Sequence, residues 1–245
     1  MRHSRTGRGR GSFRGRALLT AVNLRRWLRF EEAGRVRWMD KRDGREYTDQ
    51  RPSDARTAPG PRRALHAAAP LPAGETLARA GCAALDIDWA GQRARGLVPV
   101  AEPRLLVCAG RDHHQRRLWL APEACRAWLR MRATAAAEGV ALVAISGFRA
   151  VAWQQRLLAQ KRARGQPWAQ ILAVNAAPGF SEHHGGCALD LATPDDPALE
   201  ERFEHTAAFA WLRRRAAGFG FRLSFPRDNR FGVLYEPWHW CFQHR

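Results

Sequence analysis

Long apolar runs and paired cysteines are both missing from this sequence. No apolar stretch approaches the ~20 residues that a membrane-spanning helix needs, and the short run at 17–22 is below the ~7–15 residues of a signal-peptide core. Five cysteines occur among 245 residues, and none form a C-x-x-C pair. An odd number without such pairs argues against a disulfide framework and a cysteine-based zinc cluster. Because no signal peptide is recognisable, composition leaves both the cell envelope and the cytoplasm open.

Acidic residues are scarce relative to basic ones. The chain carries 41 Lys+Arg against 23 Asp+Glu, a formal charge of +18, and nearly all the basic residues are arginine. Residues 1–70 hold 18 basic and 7 acidic side chains. This balance suits an anionic partner such as nucleic acid, a membrane surface or an acidic cell-wall polymer. No nucleic-acid-binding motif accompanies the arginines, so nucleic acid is the least favoured of the three.

The composition changes near residue 75. Residues 1–74 combine Arg-Gly alternation with Pro-rich stretches and little apolar periodicity, which predicts a basic and mostly disordered N-terminal segment. Within it, residues 17–32 could form a short basic amphipathic helix that binds anions. Residues 75–245 have the apolar periodicity of a folded domain, which we expect to carry the chemistry.

Helical and strand patterns mix in this domain without a regular βαβ alternation. Strands are predicted at 105–108, 118–120, 140–145, 188–192, 219–223 and 235–242. Helices are predicted at 76–84, from Pro122 to Gly139, at 150–164 and 167–174, and as one long helix at 197–217. We therefore expect an α+β fold, a small antiparallel sheet flanked by helices.

Two short runs near the C-terminus carry residues typical of a zinc site on this sheet. His183 and Asp190 lie seven residues apart, and Glu236 precedes His239 by three. Two imidazoles and one carboxylate form a common catalytic zinc set that leaves a fourth position open for water. The surplus carboxylate is then available as the general base. His184 competes with His183, because spacing alone does not separate neighbouring histidines.

The same runs resemble the signature of the VanY-type D-alanyl-D-alanine carboxypeptidases, zinc peptidases grouped with the lysostaphin-type peptidases and the hedgehog domain. The matching residues are Ser181, His183, Gly186, Ala188 and Asp190, then Glu236-Pro237-Trp238-His239, with Ser146-Gly147-Phe148-Arg149 and Gln154 upstream. The resemblance covers roughly residues 76–245. Phe148 stands where the family often has tyrosine, and residues 1–74 have no counterpart in the family core.

The resemblance implies one zinc ion bound by His183, Asp190 and His239, with Glu236 as catalytic base and Arg149 contacting the substrate. Ser181 and Gln154 are the further candidates for substrate binding. We expect an Arg149 guanidinium to stabilise the developing oxyanion, although a structural ion pair is the alternative role.

The implied function is removal of the terminal D-alanine from peptidoglycan stem peptides by a monomeric enzyme of the cell envelope. L,D-carboxypeptidase or endopeptidase activity on the same polymer is an alternative, and so is a zinc-stabilised binding module without catalysis. Glu236 argues against the last, because a binding module needs no general base. The basic N-terminal segment is expected to contact an anionic wall or membrane surface and to be dispensable for chemistry.

Overall fold

Two antiparallel sheets organise the computed structural model, which describes residues 19–23, 27–32, 35–48 and 71–243. The first sheet has the strand order β4-β3-β2-β1-β5-β6, and the second has the order β7-β8-β10-β9. The strands are β1 Thr20–Asn23, β2 Trp27–Glu32, β3 Arg35–Asp40, β4 Glu46–Thr48, β5 Leu105–Arg111, β6 Arg117–Leu120, β7 Val143–Ser146, β8 Ala188–Ala192, β9 Phe221–Leu223 and β10 His239–Phe242.

Six α-helices occur within the described ranges. They are α1 Gly74–Ala83, α2 Trp89–Ala94, α3 Pro122–Ala137, α4 Val151–Ala163, α5 Trp168–Ala173 and α6 Ala207–Arg215. None of them is both long and apolar enough to cross a membrane. The expected α+β fold with antiparallel sheets and flanking helices is confirmed.

The second sheet packs one face on α3 and turns the other towards the site. Trp128 and Met131 of α3 share a buried cluster with Leu189 and Leu191 of β8. Since side chains alternate along a strand, Asp190 points to the opposite face, although it is also buried. The apolar alternation of β8 therefore fixes the direction of the one carboxylate it carries.

The region expected to be disordered contains four strands where the structure describes it. β1 pairs with β2 and with β5, so the first sheet joins residues from before position 48 to residues after 104. The helix expected at 17–32 is wrong for the described part, because Leu28 and Phe30 lie on one face of β2 and Trp27 packs with Trp38 instead. This period of two is typical of a strand. Residues 1–18, 24–26, 33–34 and 49–70 lie outside the described residues.

Several predicted elements are shorter in the structure, and two of the differences have a clear physical cause. The helix expected at 197–217 is an α-helix only at Ala207–Arg215, with 3-10 turns at Glu201–His205 and Ala216–Phe219. Thr206 has an extended backbone, and its Oγ accepts a hydrogen bond from the Phe209 amide at 3.1 Å. Such a cap starts a new helix, so the segment is interrupted there.

The strand expected at 235–242 begins only at His239. Pro237 has no backbone N–H to donate to a ladder, and the His239 amide instead donates to the Glu236 carbonyl oxygen at 3.1 Å in a turn. Glu236 consequently lies before the strand rather than on it.

Candidate active site

Three side chains that could bind a metal meet above the second sheet. His183, Asp190 and His239 each offer one ligand atom, and these atoms all lie within 4.8 Å of one another. Asp190 and His239 are direct partners in the pairing of β8 with β10. His183 comes from a 3-10 turn, Glu182–Gly185, that precedes β8. The structure thus brings together the three residues that the sequence suggested as ligands.

A glycine makes the approach of the His183 turn possible. Gly186 ends the turn with φ +67°, in the left-handed region, and a Cβ added there would lie 2.8 Å from the Ala121 amide nitrogen. Its carbonyl oxygen accepts a hydrogen bond from that same amide at 2.9 Å. Only glycine combines this conformation with so close a contact to the start of α3.

The imidazoles are oriented by hydrogen bonds on their outer nitrogens. Nδ1 of His183 lies 2.7 Å from the Gly147 carbonyl oxygen, which can only accept, so this nitrogen carries the proton. Nε2 of His183 then faces Oδ2 of Asp190 at 3.2 Å. In His239 the arrangement is reversed: Nε2 lies 2.8 Å from Glu182 Oε2, and Nδ1 lies 3.1 Å from Asp190 Oδ1.

Glu182 is a further candidate site residue that the sequence did not indicate. Its carboxylate holds the outer nitrogen of His239, which is how acidic partners commonly orient metal-binding histidines. Its position directly before His183 is a signal for such a role, although that position of the motif is a variable one. The contact leaves Nδ1 of His239 free to act as a ligand.

His184 points away from the three candidate ligands. Its Nδ1 donates to the Arg149 carbonyl oxygen at 2.6 Å, and its Nε2 accepts from the Gly179 amide at 3.1 Å. Both nitrogens are therefore used in the protein interior. Burial lowers the pKa of His184 to about 4, so the ring is neutral at neutral pH.

The electrostatics of the cluster favour a positive charge. Burial by itself would raise the pKa of Asp190, but the two neighbouring imidazoles outweigh it and hold that pKa well below its usual range. Burial likewise opposes a charged His239, yet hydrogen bonds to Asp190 and Glu182 raise its pKa to about 10. A cation at this point, whether a proton or a metal ion, is thus stabilised by two carboxylates.

Glu236 lies beside the cluster with a pKa suited to proton transfer. Its Oε2 is 3.9 Å from Nδ1 of His239, and its side chain is mostly buried. Burial raises the pKa of Glu236 to about 7, with His239 opposing the shift and Asp190 adding to it. A base whose pKa is close to the working pH is efficient in accepting and returning a proton.

Arg149 also contacts the Asp190 carboxylate, and it joins that carboxylate to two further polar side chains. Its Nη2 is 3.4 Å from Asp190 Oδ2 and 3.3 Å from Ser146 Oγ, and its Nη1 is 3.3 Å from Gln154 Oε1. Gln154 is fully buried and also donates to the Ala176 carbonyl oxygen at 2.8 Å. Gln154 is therefore connected to the site by its hydrogen bond with Arg149. The predicted contact of Gln154 with substrate stays a prediction.

Two cavities meet at this arginine. One of about 420 Å³ contains the three candidate ligands together with Ser181 and Glu236. The other, of about 770 Å³, runs from Ser146 and Arg149 towards the β3–β4 hairpin. Arg149 and Asp190 line both. A peptide could therefore reach the candidate metal ligands and extend beyond them.

Comparison with known proteins points to one family. The family model of VanY, described as D-alanyl-D-alanine carboxypeptidase, matches residues 117–245. The chain is 32% identical over 147 residues to the bifunctional D-Ala-D-Ala dipeptidase and D-Ala-D-Ala carboxypeptidase VanXYC of Enterococcus gallinarum, which covers 58% of this chain and 75% of that protein. It is 32% identical over 118 residues to a D-alanyl-D-alanine carboxypeptidase of Enterococcus faecalis, covering 44% of this chain and 42% of that protein.

Among solved structures, the chain is similar to a mutant of the vancomycin resistance D,D-pentapeptidase VanY in complex with Zn(II). The identity is 27%, the match covers 51% of this chain and 72% of that one, and the TM-score is 0.42. The strands before residue 48 lie outside the residues that the family model matches.

Proposed function

Because the chain belongs to the VanY family of D-alanyl-D-alanine carboxypeptidases, we propose that it is a zinc metallopeptidase that hydrolyses the terminal D-alanyl-D-alanine bond of peptidoglycan stem peptides. The observation that carries the proposal is the combination of three candidate ligands with a surplus carboxylate in one cavity. Neither feature alone would indicate hydrolysis.

The donor set fits zinc. Zinc prefers imidazole nitrogen and carboxylate oxygen, and three protein ligands typically leave one position for water or substrate. His183 would bind through Nε2 and His239 through Nδ1, because their other nitrogens are hydrogen-bonded to Gly147 and Glu182. Asp190 would provide the third ligand, giving one zinc ion per chain.

The chain's own residues divide the remaining work between them. Bound zinc would supply a Lewis acid that polarises the carbonyl oxygen and makes water a stronger acid. Glu236 would accept the proton of the attacking water and return it to the leaving amine. Arg149 would place its guanidinium beside the charge that develops on the carbonyl oxygen, and Gln154 would hold that guanidinium in place. Ser181, which lines the same cavity, would contact the peptide.

The activity is tested by incubating zinc-loaded protein with a muramyl pentapeptide and, separately, with the corresponding tetrapeptide, and identifying the products by mass spectrometry. Loss of a single C-terminal alanine from the pentapeptide, absent with Glu236→Gln, is the expected result. A cut within the stem would indicate an endopeptidase, and cleavage of only the tetrapeptide would indicate an L,D-carboxypeptidase. No cleavage by a protein that has bound zinc would support a non-catalytic module and overturn the proposal.

We propose that the enzyme acts at the cell envelope, where such a substrate occurs, and that it acts as a monomer. The basic residues before position 75 would add attraction to an anionic wall or membrane surface, because residues 1–70 carry 18 basic against 7 acidic side chains. Binding to anionic vesicles should then weaken as the Debye length falls from ~10 Å at 0.1 M to ~3 Å at 1 M salt. Binding that is insensitive to salt would contradict this role.

A further inference from the structure

The larger cavity has a wall that the family match does not include. It is bounded on one side by Ser146–Ala150 and on the other by residues of β3, of the following turn and of β4, with a volume of about 770 Å³. The family model begins at residue 117, so the hairpin that forms this wall is an addition to the matched region. The cavity reaches the active site at Arg149 and Asp190.

This wall is fixed to the rest of the fold. Arg117 of β6 donates to Glu32 of β2 at 2.7 Å and to Glu46 of β4 at 3.0 Å. Strands that lie apart in the sheet order are thus joined by one guanidinium, which requires the sheet to curve around the cavity. The Arg117 side chain is only 12% exposed, whereas the two carboxylates that it joins are 37% and 29% exposed.

Acidic and basic side chains are equal in number around the cavity, unlike in the whole chain. Six carboxylates and six basic side chains line it, whereas the chain has a formal charge of +18. A polyanion would be repelled by half of this lining. A peptide that carries both charge signs would find partners for each.

Two of the lining groups have weak or neutral partners. The Arg111 guanidinium donates to the neutral carbonyl oxygen of Gln115 at 2.6 Å, and its charge also helps to lower the pKa of the Glu32 carboxyl. Asp43 Oδ1 accepts a hydrogen bond from the neutral Arg45 amide at 3.0 Å, whereas its Oδ2 lies 3.7 Å from Arg156 Nη1 and 3.8 Å from Arg45 Nε, beyond ordinary hydrogen-bond distance. These two groups are therefore the best placed to exchange their contacts for a ligand.

We infer that the larger cavity binds the part of the peptide that lies N-terminal to the cleaved bond, and that it selects peptides bearing both a carboxylate and an ammonium group there. Arg111 pairs with the carboxylate and Asp43 with the ammonium. The inference rests on the proposed function and adds a specificity element to it. The smaller cavity, of about 420 Å³, holds the scissile bond and the terminal residue.

The test uses the full chain and synthetic stem pentapeptides ending in D-alanyl-D-alanine. One peptide keeps its upstream carboxylates and side-chain ammonium, a second has those carboxylates amidated, and a third has the ammonium acetylated. The wild type should cleave the first with a kcat/KM higher by about tenfold than either modified peptide, as expected for loss of one charged hydrogen bond.

In Arg111→Gln, the ratio of kcat/KM for the unmodified peptide to kcat/KM for the amidated peptide should fall towards one. The corresponding ratio for the acetylated peptide should stay as it is in the wild type. Asp43→Asn should do the reverse. Arg130→Gln removes an exposed arginine of α3 that lines neither cavity, and both preferences should persist in it. If the wild type cleaves all three peptides equally, or if both cavity variants keep both preferences, the inference is wrong. If the wild type cleaves none of them, the proposed function itself has failed.

Discussion

Two polar side chains of this site contact others that face the cavity. Glu182 holds the outer nitrogen of His239, and Gln154 holds one arm of the Arg149 guanidinium. Each contact limits the directions open to a side chain that faces the cavity. The polar groups around the candidate ligands thus form a second layer that reduces the number of arrangements the ligands can take.

Replacement of Glu236 by glutamine should remove hydrolysis but not zinc. Loss of a general base typically costs ~10²–10⁴-fold in rate, and the three candidate ligands do not include Glu236. Turnover of the pentapeptide and metal content by elemental analysis are the two measurements. If zinc content fell in proportion to activity, Glu236 would be a ligand and the assignment of roles would be wrong.

Zinc content should separate the two neighbouring histidines. His183→Ala and His239→Ala should lose stoichiometric zinc, whereas His184→Gln should retain it, because both His184 nitrogens are engaged away from the cluster. Zinc retained in both alanine variants would overturn the ligand set.

The pH dependence of the free energy of unfolding tests whether the His184 ring is buried in its neutral form. Its pKa is lowered from 6.5 to about 4 by burial, so the unfolded chain binds a proton more readily between these values. The stability that the neutral ring contributes is present above about pH 6.5 and is lost as pH falls towards 4. The difference in denaturant midpoint between wild type and His184→Gln should therefore shrink over this range, and a difference independent of pH would contradict the buried neutral ring.

Arg149→Lys should slow turnover more than it disturbs folding. A guanidinium presents several donors in a plane, and here they contact Asp190, Ser146 and Gln154 together, whereas an ammonium is a single point charge. We expect a lower kcat with a melting temperature close to that of the wild type. A lowered melting temperature with unchanged turnover would show that Arg149 has only a structural role.

At the scale of elements, a buried network joins the N-terminal strands to the helix that follows Arg149. Glu102 accepts a hydrogen bond from the Val151 amide at 2.9 Å, at the first residue of α4, and another from Asn23 at 3.1 Å. Lys41 forms an ion pair with the same carboxylate, and both side chains are almost fully buried. The start of α4 is therefore tied to β1 and to the turn after β3.

Lys41→Met should destabilise the fold by about 3–5 kcal/mol, because removing one partner leaves the other charge buried without compensation. The matched variant Lys41→Met/Glu102→Gln removes both charges and should recover part of that loss. Denaturant unfolding measures both. A double variant no more stable than the single one would show that the charge of Glu102 is not the source of the loss.

At the scale of the whole molecule, the first sheet pairs strands from both sides of the boundary predicted at residue 75. Leu106, Trp119 and Phe148 pack with Ala21 and Phe30 in one apolar cluster. A chain starting at residue 75 would expose that cluster and leave the β1-facing edge of β5 unpaired. This differs from the expectation that the whole N-terminal segment is dispensable.

A truncated chain starting at residue 75 should therefore have a lower melting temperature and reduced cleavage of a soluble muropeptide. Truncation to residue 19 keeps all the described strands and serves as the control. Equal activity and stability of the wild type and the chain starting at residue 75 would restore the boundary predicted from composition.

The sequence by itself determined the local features of this protein: the strand at 188–192, the helix beginning at Pro122, and the residues able to bind zinc. These depend on short-range periodicity, on proline chemistry and on closely spaced motifs, all of which are visible along the chain. The choice of His183 over His184 came from resemblance, and its physical reason lies in the fold, where His184 meets Gly179 and Arg149.

Only the tertiary structure decided which distant strands pair and which distant side chains are in contact. The strands of residues 20–48 are hard to recognise because Arg, Gly and charged residues dilute their apolar pattern. They join the rest of the sheet through the pairing of β1 with β5 and the side-chain bonds of Arg117, and both connections reach segments far along the chain. The contact of Glu182 with His239 and the buried ion pair of Lys41 with Glu102 could likewise not be predicted from the sequence. A charged side chain is expected to be exposed to solvent unless its partner is known. Contacts between distant segments depend on the packing of the whole chain, which no local pattern specifies.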